Sequence, residues 1–173
     1  MILCSHALVG AAVASTIPSH PAAALLIGFA SHFILDAIPH ADYPIKSRSV
    51  NPEIGAPMVL DAAILWDILT IGSDGLLGIL AAVFLFGSPE SLSAVLLGAI
   101  GGMLPDPLQF MHAHFPREPL RTLQRFHRWA HTDKQIQDLA LAFGTQAAFV
   151  AVIIGIATAA NRGVFTPAFA MVH

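Results

Sequence analysis

The chain has 173 residues, 55% hydrophobic and only 11% charged, with a formal net charge of −3 and a mean hydropathy of +0.70. That composition lies outside the range of ordinary soluble domains and predicts one integral membrane domain over residues 1–173. With nine His against eight Lys plus Arg there is no broad basic surface, which excludes nucleic acid as a partner, and a lone Cys4 excludes an internal disulfide.

Apolar runs fall at 3–17, 22–38, 57–72, 74–88, 91–104 and 136–160. The first lacks a basic n-region and a second apolar run follows at once, so it is expected to be a retained helix rather than a signal peptide. Pro18 and Pro21 mark a tight turn that makes 1–40 a first hairpin, and Ser88-Pro89-Glu90 marks the turn of a second. Only 136–160 clearly has the roughly 20 residues that cross a bilayer. The shorter runs must tilt, extend into their flanks or lie in the interface. Residues 57–110 are expected to hold an interfacial helix, with Trp66 at headgroup level, followed by the second hairpin; alternatively, 57–72 merges with 74–88 into one helix. Residues 111–134 form a basic segment, and 136–160 the C-terminal transmembrane helix.

Lys46 and Arg48 fall in the 39–56 loop, and Arg117, Arg121, Arg125, Arg128 and Lys134 crowd 105–134. Both segments are therefore expected on the cytoplasmic side. Five spans with a cytoplasmic N-terminus satisfy this, so the predicted fold class is an all-α membrane bundle of about five transmembrane helices, in the inner or plasma membrane. This topology gathers His6, His32, Asp36, Asp61, Asp106, His127 and His131 at one leaflet and leaves His20 at the other. A shift of 70 residues places Ala11-Ala12-Val13 on Ala81-Ala82-Val83, Leu26 on Leu96, Gly28 on Gly98 and Asp36 on Asp106. The two hairpins are then repeats, each delivering an Asp at the end of its second helix.

His and Asp in or beside membrane-length apolar runs are costly, so each is a functional candidate by default. His32 and Asp36 are four apart and share a helix face, as do His127 and His131. His40 continues the first stripe, although Pro39 is expected to end the helix before it. Imidazole and carboxylate together suit Zn, Mn or, with more oxygens, Mg. His6, His32, Asp36, Asp106, His127 and His131 supply enough ligands for one or two divalent ions, provided Asp36 and Asp106 come within about 8 Å, given metal–ligand bonds near 2 Å. Arg128 could neutralise a phosphate through its planar fork, and Asp61 is the choice for a general base. His112, His114 and His20 are expected at the surface, and Arg117, Arg121 and Arg125 serve as the positive-inside signal.

At Ser5-His6, Gly28-Phe29-Ala30-Ser31-His32-Phe33-Ile34-Leu35-Asp36, Leu104-Pro105-Asp106 and His127-Arg128-Trp129-Ala130-His131-Thr132, the chain resembles the membrane-bound metal-dependent hydrolases of the YdjM-like type. The resemblance covers roughly 5–132 and implies metal-assisted hydrolysis with these His and Asp residues as ligands. Here the Ser-His-x-x-x-Asp segment precedes the Leu-Pro-Asp segment, the reverse of the family order. The second Asp of that latter motif is missing, leaving His112 or His40 as its replacement. The resulting expectation is a hydrolase that acts on a phosphoester, a lipid phosphate being the natural substrate, through a metal-activated water. An intramembrane metal or proton transporter and a non-catalytic metal-binding or assembly subunit are the alternatives.

Overall fold

The computed structural model describes residues 1–44, 46–47, 61–134 and 136–162. Within them the secondary structure is helical: α1 Leu3–Ala14, α2 Pro21–Asp36, α3 Ala62–Phe86, α4 Leu92–Met103, α5 Pro105–His114, α6 Leu120–Ala130 and α7 Leu139–Asn161. The turn signals sit where the chain turns. Pro21 opens α2 at a position where its missing N–H is no loss. Between α3 and α4, Ser88 and Ser91 bond each other, and Ser91 Oγ donates to the Phe86 carbonyl (2.7 Å). Asp61 and Asp138 cap α3 and α7 by accepting from Ile64 N and Leu141 N, both at 2.9 Å.

Three helices are long and apolar enough to cross a membrane: α3, the near-continuous α4–α5 stretch Leu92–Ala113, and α7. The expected interfacial helix is not a separate element. α3 runs unbroken through Gly72, Ser73 and Asp74, so the merged alternative describes the chain. A helix needs only its own i to i−4 bonds to pass over a Gly-Ser pair, and the apolar flanks on both sides keep the same environment. Residues 57–60 of that predicted segment, and Arg48 in the preceding loop, lie outside the described residues.

Packing is inverted relative to a soluble bundle. Large apolar side chains face outward, with Leu69, Leu80 and Phe84 on α3 and Val152 and Ile156 on α7 among the most exposed. Inside lie small ones: Ala7, Ala11, Ala82, Val95 and Ala99 form one core cluster, and Ala14, Ala24 and Ala94 another. Small residues let helices approach closely where lipid offers no hydrophobic drive to associate. α4 packs on α1 and α2, α1 also packs on α3 and α7, and α6 lies against α5 and α2. At the centre, a Cβ on Gly28 or Gly10 would overlap the Gly98 carbonyl, and one on Gly102 would overlap the His6 carbonyl. The backbones of α1, α2 and α4 therefore touch directly.

α1 begins beside the middle of α3. Cys4 N donates to Asp74 Oδ2 (2.8 Å), Leu3 N donates to the Tyr43 hydroxyl (2.7 Å), and that hydroxyl donates to Asp74 Oδ2 (2.5 Å). Ile2 provides no side-chain cap, so a carboxylate and a phenol from other segments satisfy the free N–H groups and meet the positive end of the helix dipole. Three contacts join residues that the 70-residue shift aligns. Cys4 meets Asp74, Gly28 meets Gly98 and His32 meets Gly102, each pair 70 positions apart.

Candidate metal centre

Four helices and one loop converge where α1 begins and α2 ends. α1 contributes His6; α2 contributes His32 and Asp36 one turn apart; α5 contributes Asp106 in its first turn; α6 contributes His127 in its last, followed by His131. The chain then runs parallel to the segment that follows α2. Thr132 N donates to the Asp36 carbonyl (2.8 Å) and Ile136 N to the His40 carbonyl (3.2 Å). These bonds fix the 131–136 segment against 36–42.

Asp36 is the hub, with only 2% of its side chain exposed. Its Oδ2 lies 3.0 Å from His32 Nε2, 3.3 Å from His127 Nε2 and 4.0 Å from His131 Nε2. Its Oδ1 lies 3.2 Å from His6 Nε2, 3.8 Å from His40 Nε2 and 3.1 Å from the Met1 amino nitrogen. Asp106 Oδ1 is 3.6 Å from His32 Nε2. One ligand atom each from His32, Asp36, Asp106 and His127 falls within a mutual distance of 4.8 Å, and the same holds for Asp36, His40 and His131. Asp36 and Asp106 thus meet the distance required for ligands of one ion.

The ring nitrogens identify what this cage suits. His32 Nδ1 lies 2.9 Å from the Gly102 carbonyl, His40 Nδ1 lies 2.6 Å from the Ile38 carbonyl and His131 Nδ1 lies 2.9 Å from the Thr132 carbonyl. A carbonyl only accepts, so each Nδ1 carries a proton and each ring directs its Nε2 toward the carboxylates. Lone pairs facing carboxylate oxygens are repulsive unless a cation or a further proton lies between them. Backbone-anchored Nδ1–H with Nε2 directed at a shared centre is the outer-shell arrangement of metal-ligating histidines. Both nitrogens of His6 and Nε2 of His40 are buried without a hydrogen bond, a costly state in an apolar protein. The ion pairs described around Asp36 and Asp106 use histidines and the Met1 amino group, with no Lys or Arg among them.

The cage is closed on one side and open on the other. His6, His32 and His40 are at most 1% exposed, whereas the side chains of Asp106 (30%), His131 (27%) and Asp42 (36%) reach solvent. Asp42 belongs to a loop outside the helices. Burial raises its carboxyl, but His40 and the nearby amino group outweigh this and hold it below the usual carboxylate range.

The structure brings together His6, His32, Asp36, Asp106, His127 and His131, the six expected ligands. It places the other two named residues elsewhere. Asp61 is exposed and engaged in capping α3, and Arg128 is exposed on α6 next to buried His127, outside the ion pairs described around Asp36. His112, expected at the surface, is buried, with Nδ1 lacking a partner; its position on α5 turns it inward against the bundle rather than toward headgroups. Asp67 holds the 46–47 segment by accepting from Lys46 N and Ser47 N and Oγ. Sequence reasoning gave His40 a minor place because Pro39 was expected to end the helix before it, and it did not single out Asp42, which no helical spacing ties to the site. Helix α2 does end at Asp36, but the chain folds back over the site. No protein-family model, curated protein or solved structure matches this chain.

Proposed function

We propose that the protein is a membrane-embedded, metal-dependent hydrolase of phosphoesters, similar to the YdjM-like hydrolases, with an amphiphilic lipid phosphate as its substrate class. The observation that carries this reading is the four-ligand group of His32, Asp36, Asp106 and His127, in which His32 is oriented by the Gly102 carbonyl. A divalent ion held there, Zn, Mn or Mg, would supply Lewis acidity and a water of lowered pKa. The chain's own residues have distinct tasks. His32 and His127 present their Nε2 atoms, and Asp36 provides charge from the closed side. Asp106, the most exposed of the four, lies where a substrate and its attacking water would enter and is better placed than Asp61 to take a proton.

Two further features support the substrate class. The α1 N-terminus, and with it the cage, is recessed to about the middle of α3, which suits a substrate arriving from the bilayer. On α6, Arg121, Arg125 and Arg128 are exposed beside Phe126 and Trp129, a combination suited to an anionic headgroup region. Arg128, next to His127, would steady the phosphate at the rim. In this reading five helical crossings place the centre on the cytoplasmic side. Transport would use polar residues through the membrane depth; Asp74, the carboxylate in the middle of α3, is engaged in capping α1, which favours the hydrolase.

Phosphate release from lipid phosphates in mixed micelles tests the reading. Hydrolysis should be abolished by a chelator, restored by a divalent ion, and reduced at least 100-fold in Asp106→Asn. If no lipid phosphate is turned over in a chelator-sensitive way, the protein is a binding or assembly subunit instead.

A further inference from the structure

We propose that the centre holds two divalent ions, with Asp36 as a bridging carboxylate and the second ion bound by His40, His131 and Asp42. The inference rests on the metal-binding part of the reading above and not on hydrolysis. The two oxygens of Asp36 face different sets of nitrogens. Oδ2 is closest to His32 and His127, at 3.0 and 3.3 Å, while Oδ1 faces the Met1 amino nitrogen at 3.1 Å, His6 at 3.2 Å and His40 at 3.8 Å. A carboxylate flanked on both oxygens by imidazole Nε2 atoms is suited to sharing between ions.

The second ligand set is built as the first is. His40 and His131 both have Nδ1 on a backbone carbonyl, which leaves both Nε2 atoms as donors of a lone pair. Asp42 lies between them, with Oδ1 3.0 Å from His40 Nε2 and Oδ2 3.9 Å from His131 Nε2. The independent sign of a ligand is His40 itself, 1% exposed, its Nε2 aimed at two carboxylates and without a hydrogen bond. Two imidazoles, one carboxylate of its own and one shared carboxylate make a four-donor site for a first-row metal.

Charge favours the same count. Asp36, Asp42 and Asp106 carry three negative charges and the Met1 amino group beside two of them one positive; one divalent ion brings the cluster only to neutrality, with no pull on a phosphate. Two ions leave it net positive, and the more exposed ligands, Asp42, Asp106 and His131, line the side from which an anion would bridge both.

The test is metal stoichiometry in detergent-purified protein loaded with Mn²⁺ and freed of loosely held ions, with EPR as a second readout. Wild type should bind two ions per chain and give the exchange-coupled spectrum of ions sharing a carboxylate. His40→Gln combined with Asp42→Asn should bind one, with the six-line spectrum of an isolated Mn²⁺. His131→Gln, which leaves the loop carboxylate in place, should give the same result if the double variant fails to fold. A wild-type plateau at one ion, or two coupled ions retained in these variants, overturns the proposal. Two coupled ions without hydrolysis would defeat the hydrolase reading and leave this one standing; hydrolysis by a one-ion protein would do the reverse.

Discussion

The seam between α2 and α4–α5 has two halves that obey opposite rules. Around Gly28, Gly98 and Gly102 it contains almost no side chain, and backbone lies on backbone. A turn or two further along it is crowded with His32, Asp36 and Asp106, polar groups that burial penalises. The contrast shows how one half serves the other. Helices normally sit 8–10 Å apart, a spacing at which facing side chains fill the gap; with no Cβ at the crossing, α2 and α4 close up. His32 can then reach the Gly102 carbonyl with Nδ1. The glycine half sets the distance, and the polar half uses it.

Filling the glycine half should have the largest effect. In Gly98→Val the side chain would run into Ala14 Cβ and the Gly10 carbonyl, and no flexible group is there to yield. Overpacking typically costs about 1–3 kcal/mol, and here α1 must move as well as the new side chain. Thermal unfolding in detergent should fall sharply and bound metal should disappear with it; wild-type metal content in a folded Gly98→Val protein would show that the crossing distance does not set the site. His32→Ala probes the other half and should separate the two effects. The fold should persist because the crossing is untouched, while metal affinity should drop by more than the roughly 10–100-fold that loss of an outer-shell partner costs. Unfolding of His32→Ala at the level of Gly98→Val would erase the distinction between the halves.

The sequence made much of the first half and part of the second legible. The 70-residue shift aligned Gly28 with Gly98 and Asp36 with Asp106, and the structure has the contacts 28 to 98 and 32 to 102. Helical i, i+4 spacing was enough to pair His32 with Asp36. Spacing could not reveal Asp42, which has no helical periodicity and reaches the centre only because Thr132 and Ile136 bond back to Asp36 and His40. The unity of α3 was legible only as one of two alternatives. Gly72, Ser73 and Asp74 look like a break, and what makes Asp74 tolerable there is the α1 N-terminus that it caps, a tertiary partner that local pattern does not carry.

That cap provides the next, smaller test. In Asp74→Ala, Cys4 N and the Tyr43 hydroxyl lose their common acceptor, and a lost cap costs about 0.5–2 kcal/mol. α1 carries His6 to the cage, so unfolding at lower temperature should be accompanied by a modest loss of metal, well short of that in His32→Ala. A metal content as low as in His32→Ala would mean that α1 is positioned by its cap rather than by the glycine crossing, and the division of labour along the seam would have to be redrawn.

The smallest effect is expected from a glycine that lies outside the seam. Gly144 is on α7, and a Cβ built there meets nothing within 4 Å. Gly144→Ala therefore adds a methyl group to open space and removes the entropic penalty of glycine in a helix, which is worth about 0.5–1 kcal/mol. The thermal midpoint should stay level or rise slightly, with metal content unchanged. A Gly144→Ala protein destabilised to the extent of Gly98→Val would mean that the bundle resists any added methyl group, and the close approach of α1, α2 and α4 would lose its special standing. Opposite responses at the two positions would tie the need for glycine to the crossing itself, where two backbones meet and no side chain can intervene.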